Sequence, residues 1–228
     1  MIFRQWLDSD NEGERCGYLL ADPVTRAAAV IDAHEAIAER CLDEIERLGL
    51  ELHYAFETRL HIAHRSAAAW IRRETGALVV AHEATGIACA DHHAEEGDGF
   101  HLGEETLTFL HLSGLCPGAS ALLWGDRLFT GDTLWPGGTG LMGPGGDLRK
   151  LRSNIEDRLF RFADETLVFP GACPDGRRVT TIGEERAGAG EVNWPWKSRR
   201  GTDDQGLRPD IAAFNRECSQ RPHAGPTA

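Results

Sequence analysis

The sequence has no Cys-x-x-Cys pair, no apolar run long enough to span a bilayer, and too few cations to balance its anions. Each shortage excludes something. With 24 Lys and Arg against 36 Asp and Glu, the formal net charge is −12. A surface of that sign argues against nucleic-acid partners and anionic membranes. Aromatics make up only 7% of the chain and do not alternate with basic residues, which excludes a base-stacking groove. Met1 to Trp6 runs straight into Leu7-Asp8-Ser9-Asp10, with no long apolar stretch and no small-residue cleavage site. A signal peptide is therefore not expected, and a cytoplasmic location is. The six cysteines, at 16, 41, 89, 116, 173 and 218, are scattered. That pattern suits reduced, buried thiols better than a disulfide framework. No Gly-x-Ser-x-Gly elbow accompanies Ser113, Ser120 or Thr133, so serine hydrolysis has no support. The Gly-rich stretch 135–146 lacks the Lys-Ser/Thr of a phosphate loop. Its glycines are expected to allow close backbone packing beside a cleft.

What is present is an ordinary globule. At 228 residues and 41% apolar content, one sizeable core is expected. Ile2 to Trp6 reads as an edge strand and Asp8 to Arg15 as a polar turn. Cys16 to Ala21 and Ala27 to Asp32 read as a hairpin around Asp22-Pro23. A helix follows, with Ile37, Cys41, Ile45 and Leu48 at helical spacing and Gly49 as its stop. Leu52 to Phe56 is a strand, Ala67 to Glu74 a helix, and Ala77 to Ala81 a buried strand. This alternation indicates a layered α/β domain. Residues 82–105, with His82, His92, His93 and His101, read as loop and short strands; these histidines and His111 match no ligand spacing. Strands are expected at Thr106–Leu112, Ala119–Trp124, Arg127–Thr130 and Thr166–Phe169, with Gly125-Asp126 as a tight turn. Asp147 is placed to cap a helix burying Leu148, Leu151, Ile155, Leu159 and Phe160. The domain is expected to span 1–190. Residues 191–228 are expected to be an extension packing on it, with a helix at Ile211 to Cys218 and a frayed end.

The chemistry gathers at Thr58-Arg59-Leu60-His61-Ile62-Ala63-His64. Two histidines between a strand and a helix are placed as metal ligands often are. Arg59 and Ala63, however, stand where donors would be wanted.

Four segments at strand ends, 58–64, 113–118, 131–140 and 170–176, resemble in order and spacing the metallo-β-lactamase superfamily. The persulfide dioxygenases and glyoxalase II-like hydrolases are its nearest branches here. Met1-Ile2-Phe3-Arg4-Gln5, Glu57-Thr58 and Thr181-Ile182-Gly183-Glu184-Glu185 look like the dioxygenases. Phe129 to Gly138, with Trp135-Pro136-Gly137-Gly138, looks more like a hydrolase branch. The resemblance implies an αββα sandwich: two central mixed sheets flanked by helices, with a metal site at one edge.

It also implies a motif Thr-His-x-His-x-Asp-His. Here Arg59 takes the first His position, His61 the second, Ala63 the Asp and His64 the last. Leu115 takes the histidine of Pro-Gly-His-Thr, and Ala172 that of Tyr-Pro-Gly-His-Asp. Asp132 matches the bridging aspartate. Of the three ligands the resemblance implies for a dioxygenase iron, only Asp132 remains.

Several readings stay open. Arg59 is expected beside Asp132, as a built-in cation where a metal would sit, or as a holder of an anionic ligand. No cofactor is then expected, and the protein is a binding or regulatory module or carries rebuilt chemistry. The alternative is a single Zn or Fe on His61, His64 and Asp132, activating water against a thioester or ester. Cys116 and Cys173 each follow a missing histidine and form a third candidate, a thiol pair pointing into the cleft with a pKa lowered by Arg59. Expected partners are a small anionic or thiol-derived molecule and, in a homodimer, a second copy of the chain.

Overall fold

The computed structural model describes residues 1–10, 13–60, 66–173 and 176–188. Two sheets face each other. The first runs in the order β1 (Ile2–Asp10), β2 (Gly13–Ala21), β3 (Ala27–Ile31), β4 (Glu51–Phe56), β5 (Leu78–Ala81), β6 (His92–His93). The second holds β7 (Gly99–Leu102), β8 (Glu105–His111), β9 (Ser120–Trp124), β10 (Arg127–Gly131), β11 (Leu167–Pro170) and, on its far edge, β13 (Thr180–Thr181). One short strand, β12 (Ala172–Cys173), follows β11 in the chain but pairs with β2 of the first sheet. Among the described residues, four α-helices complete the layers: α1 (Glu35–Leu48), α2 (Ala68–Thr75), α3 (Leu148–Asp157) and α4 (Ile182–Gly188).

Strand periodicity explains the layering. Along β2, Tyr18 and Leu20 point between the sheets, where they meet Phe56, Phe109, Phe129 and Phe169. Leu19 and Ala21 point the other way, onto Ile37, Cys41 and Ile71 of α1 and α2. A strand covered on both faces carries a continuous apolar run rather than an alternating one. The second sheet does the same with Leu128 and Val168, which pack on Leu151 and Ile155 of α3. The result is the expected αββα sandwich, with both sheets mixed in strand direction.

One local expectation is corrected, and one helix is added. Asp8 to Asp10 and Gly13 to Arg15, expected within a polar turn, are strand: β1 and β2 pair antiparallel from Ile2↔Ala21 out to Asp10↔Gly13. Asp8 lies across from Arg15, so opposite charges support the outer ladder that composition alone reads as a turn. The segment after β13 is the helix α4. Thr181 Oγ1 accepts the Glu184 N–H at 3.1 Å, and the Glu184 carboxylate accepts the Thr181 N–H at 3.3 Å. That reciprocal pair is a capping box, legible as Thr-x-x-Glu. The proposed extension at 191–228 and its helix at Ile211 to Cys218 lie outside the described residues.

Candidate functional site

The site forms where the chain changes sheets. β4 ends at Phe56, and the next residues leave the first sheet under tight control. The Glu57 amide donates to Val80 O at 3.0 Å. Asp32, at the end of β3, accepts the Thr58 N–H at 2.8 Å and the Thr58 hydroxyl at 2.7 Å. Asp32 adopts φ +50°, a conformation rare outside glycine and asparagine. Thr58 O in turn accepts the Ser120 amide at 2.8 Å, which ties the motif to β9 of the second sheet. Gly131, ending β10, lies against Thr58. The Gly171 amide donates to Gly131 O at 2.6 Å, where the chain crosses from β11 to β12. Three of the four sequence segments thus meet at Gly131, against the Thr58 side chain on one side and the Gly171 amide on the other.

At their meeting point the Arg59 guanidinium forms an ion pair with Asp132 Oδ2. Both side chains are almost wholly buried, at 6% and 2% exposure. Trp135 Nε1 donates to Asp132 Oδ1 at 3.1 Å, and the Gly140 amide donates to the Asp132 carbonyl at 2.8 Å. Arg59 Nε has no hydrogen-bond partner among the described residues. A guanidinium and a carboxylate withdrawn from water together neutralise each other where neither is tolerable alone. The Gly-rich loop is held from behind as well: buried Glu185 accepts the Gly137 amide at 2.8 Å.

The fourth segment brings Leu115 and Cys116. Leu115 is fully buried in the apolar layer under α3. Cys116 is partly exposed and feels both Arg59 and Asp132. Burial pushes its thiol above the ordinary range. The Arg59 charge and the Gly118 and Ala119 amides pull the other way without overcoming it. The expected activation of Cys116 by Arg59 is therefore corrected: the cation acts in the right direction but burial outweighs it. The expected pairing of Cys116 with Cys173 is corrected too. Cys173 is buried between the sheets, and its sulfur lies 3.0 Å from that of Cys16. Reduced thiols throughout was also too simple an expectation, since Cys89 is disulfide-bonded. His61 and His64 lie outside the described residues, so the proposed His61–His64–Asp132 set is seen here only through Asp132. Among the described residues, no three His, Cys, Asp or Glu side chains are grouped to hold a metal ion. The loop histidines do other things: the His82 ring stacks on His111 at 3.7 Å, and His82 Nδ1 accepts the Ala84 amide.

Three residues, Asp32, Trp135 and Glu57, were given no role at the site by the sequence reading. Asp32 had a signal, an acid at a strand end. Trp135 had none, because its indole reaches back within a loop of irregular backbone. Glu57 is buried, and the Ser66 hydroxyl donates to it at 2.6 Å. Burial, then the neighbouring Asp32 charge, holds its carboxyl well above the usual glutamate range. The folded state thus keeps a proton that the unfolded chain releases above its ordinary value of 4.5. Stability should fall as pH rises from there toward the folded-state pKa, at up to about 1.4 kcal/mol per pH unit. Urea midpoints measured across that window test this. Glu57→Gln should flatten the slope, and an equally flat profile in the parent would refute the assignment.

No family model matches the sequence. Human mitochondrial persulfide dioxygenase ETHE1 is 32% identical over 173 residues, covering 74% of this chain and 68% of that one. The crystal structure of ETHE1 from Myxococcus xanthus matches with TM-score 0.79 and 35% identity, covering 84% of each chain. The chain belongs to the metallo-β-lactamase fold superfamily. A second relative in the superfamily, hydroxyacylglutathione hydrolase of a Polaromonas species, is 30% identical over 179 residues, 75% of this chain and 66% of that one. A metallo-β-lactamase structure from Staphylococcus aureus, at 20% identity and TM-score 0.73, covers 95% of this chain and 70% of its own. It shows the shared fold alone. No helix among the described residues is long and apolar enough to cross a membrane.

Proposed function

We propose that this metallo-β-lactamase-fold protein has exchanged the metal of its relatives for a side-chain cation. It lacks persulfide oxidation and two-metal hydrolysis, and acts as a binding or regulatory module for a small anionic or thiol-derived molecule. One observation carries the reading: the buried Arg59 guanidinium lies on Asp132, the aspartate that the resemblance assigns to the metal. A dication on Asp132 would meet that fixed positive charge across a few ångströms of low-dielectric protein. The other donors do not fit a metal either. Leu115 and Ala172 are buried hydrocarbon side chains without lone pairs. Asp132 Oδ1 already accepts the Trp135 indole N–H. These described residues do not fit a metal centre. An anionic ligand is favoured by Arg59 Nε, a buried donor with no hydrogen-bond partner among the described residues.

Elemental analysis of the purified protein, dialysed against zinc and against ferrous iron, tests the reading. Substoichiometric metal is expected, unchanged in His61→Ala and Asp132→Ala. A full equivalent that both substitutions abolish would establish the single-metal site on His61, His64 and Asp132 instead. The combined change Arg59→His, Ala63→Asp, Leu115→His and Ala172→His should restore zinc uptake, because it returns donors and removes the cation together.

A further inference from the structure

The two sulfurs at the sheet crossing belong to a device that the cleft reading does not use. β12 is only two residues long, and it pairs antiparallel with β2 in the register Ala172↔Arg15, Cys173↔Glu14. Cys16 therefore lies across from Gly171, and its amide donates to Gly171 O at 2.9 Å. Cys16 and Cys173 project from the same face of this pair, two positions apart along it. Their Sγ atoms are 3.0 Å apart, so closing to a bond of about 2.0 Å needs a shift of about 1 Å. Both side chains are buried.

The surroundings are polar where the core otherwise is not. The Gln5 carboxamide nitrogen donates to Cys16 Sγ at 3.7 Å, to the Tyr18 oxygen at 3.3 Å and to Arg178 O at 3.0 Å. The Tyr18 hydroxyl donates to Pro170 O. Gln5, which is partly exposed, and Arg178, which is exposed, place this network near the surface. Every one of these bonds ends on β2 or on the segments flanking β12.

We propose that Cys16 and Cys173 form a reversible redox pair, closed to a disulfide by a low-molecular-weight disulfide such as oxidised glutathione. Lifting of the two-residue β12 gives the oxidant access to Cys173. The Cys173 thiolate attacks one sulfur of the oxidant, forming a mixed disulfide and releasing one thiolate. Cys16 gives its proton to the thiolate released in the first step, attacks Cys173 Sγ and expels the second thiol. Two protein thiols and one oxidant disulfide thus become one protein disulfide and two small thiols, with two electrons passed to the oxidant. The bond would fasten β12 to β2 two residues after Gly171. Gly171 packs on the ion-pair aspartate so closely that an added Cβ would lie 2.7 Å from Asp132 Oδ1. Oxidation would therefore fix the wall of the cleft.

Peptide mapping of the full-length protein decides this. The reduced protein is incubated with oxidised glutathione, its remaining thiols are alkylated under denaturing conditions, and it is digested without reductant. The expected product is a linked Cys16–Cys173 peptide, lost on treatment with dithiothreitol. In Cys16→Ser, glutathione should remain attached to Cys173. Recovery of both cysteines alkylated, with the oxidant on Cys116 or on no cysteine, would overturn the proposal. Amide exchange gives the second readout, independent of any variant's folding. Residues 171–173 should exchange more slowly in the oxidised wild-type protein. Equal exchange despite a formed bond would overturn the fixing of the cleft wall.

Discussion

Replacing Arg59 with alanine should cost about 3–5 kcal/mol of folding stability, among the largest effects of any single substitution in this protein. The reason is asymmetry. Asp132 is buried at 2% exposure, and its Oδ2 faces the Arg59 guanidinium. Removing the cation leaves a carboxylate in low dielectric with only the Trp135 indole and neighbouring groups to oppose its charge. Asp132→Asn should also be costly, because it strands the guanidinium. Removing both together, as Arg59→Met with Asp132→Leu, should recover most of the loss, since a well-packed apolar pair is often as stable as a buried ion pair. Urea unfolding of the parent, Arg59→Met, Asp132→Leu and the combined variant closes a double-mutant cycle. The effect should change little with salt, because the pair is shielded from counterions. A loss below about 1 kcal/mol in Arg59→Ala would place the pair with weak surface bridges and remove the physical basis for a metal substitute.

Gly131→Ala is expected to cost about 3 kcal/mol or more, for two separate reasons. Gly131 has φ +51°, a left-handed conformation that a Cβ resists. That Cβ would also sit 2.2 Å from Thr58 Oγ1 and 2.9 Å from Thr58 Cβ. Thr58 cannot swing aside cheaply, because its hydroxyl and amide both bind the Asp32 carboxylate. Thr58→Ala removes the nearest colliding atom at the cost of a buried hydrogen bond. The double variant should therefore be less destabilised than the sum of the two single changes. Strict additivity would show that the collision is relieved elsewhere and that backbone strain alone sets the cost. Thermal unfolding of the three proteins supplies the comparison.

How much of this was legible in the chain depends on how local the signal is. Strand and helix order followed from apolar periodicity, as in Ile37, Cys41 and Ile45 along α1. The helix stop at Gly49, with φ +61°, was legible because only glycine takes that conformation freely. The Asp147 cap was legible because its carboxylate needs only the amides of Arg149 and Lys150, two and three residues on. The outer halves of β1 and β2 were misread because polar residues pair as well as apolar ones on a solvated edge. Asp8 and Arg15 look like turn composition until the ladder brings them together.

The site divides along the same line. From the sequence alone came the residue types: an arginine, a leucine and an alanine where the resemblance implies histidines, with an aspartate kept. Those identities already restrict what chemistry the cleft holds, because donor capacity belongs to the side chain wherever it sits. Only the tertiary structure decided the pairings. Arg59 reaches Asp132 because Thr58 is pinned both to Asp32 and to the second sheet. Cys173 meets Cys16 rather than Cys116 because the chain leaves β11 at Pro170 and joins β2 in the other sheet. Burial then outweighs the nearby cation at Cys116. Such choices depend on strand register and solvent exclusion across two sheets, and neither is encoded in the spacing of neighbouring residues.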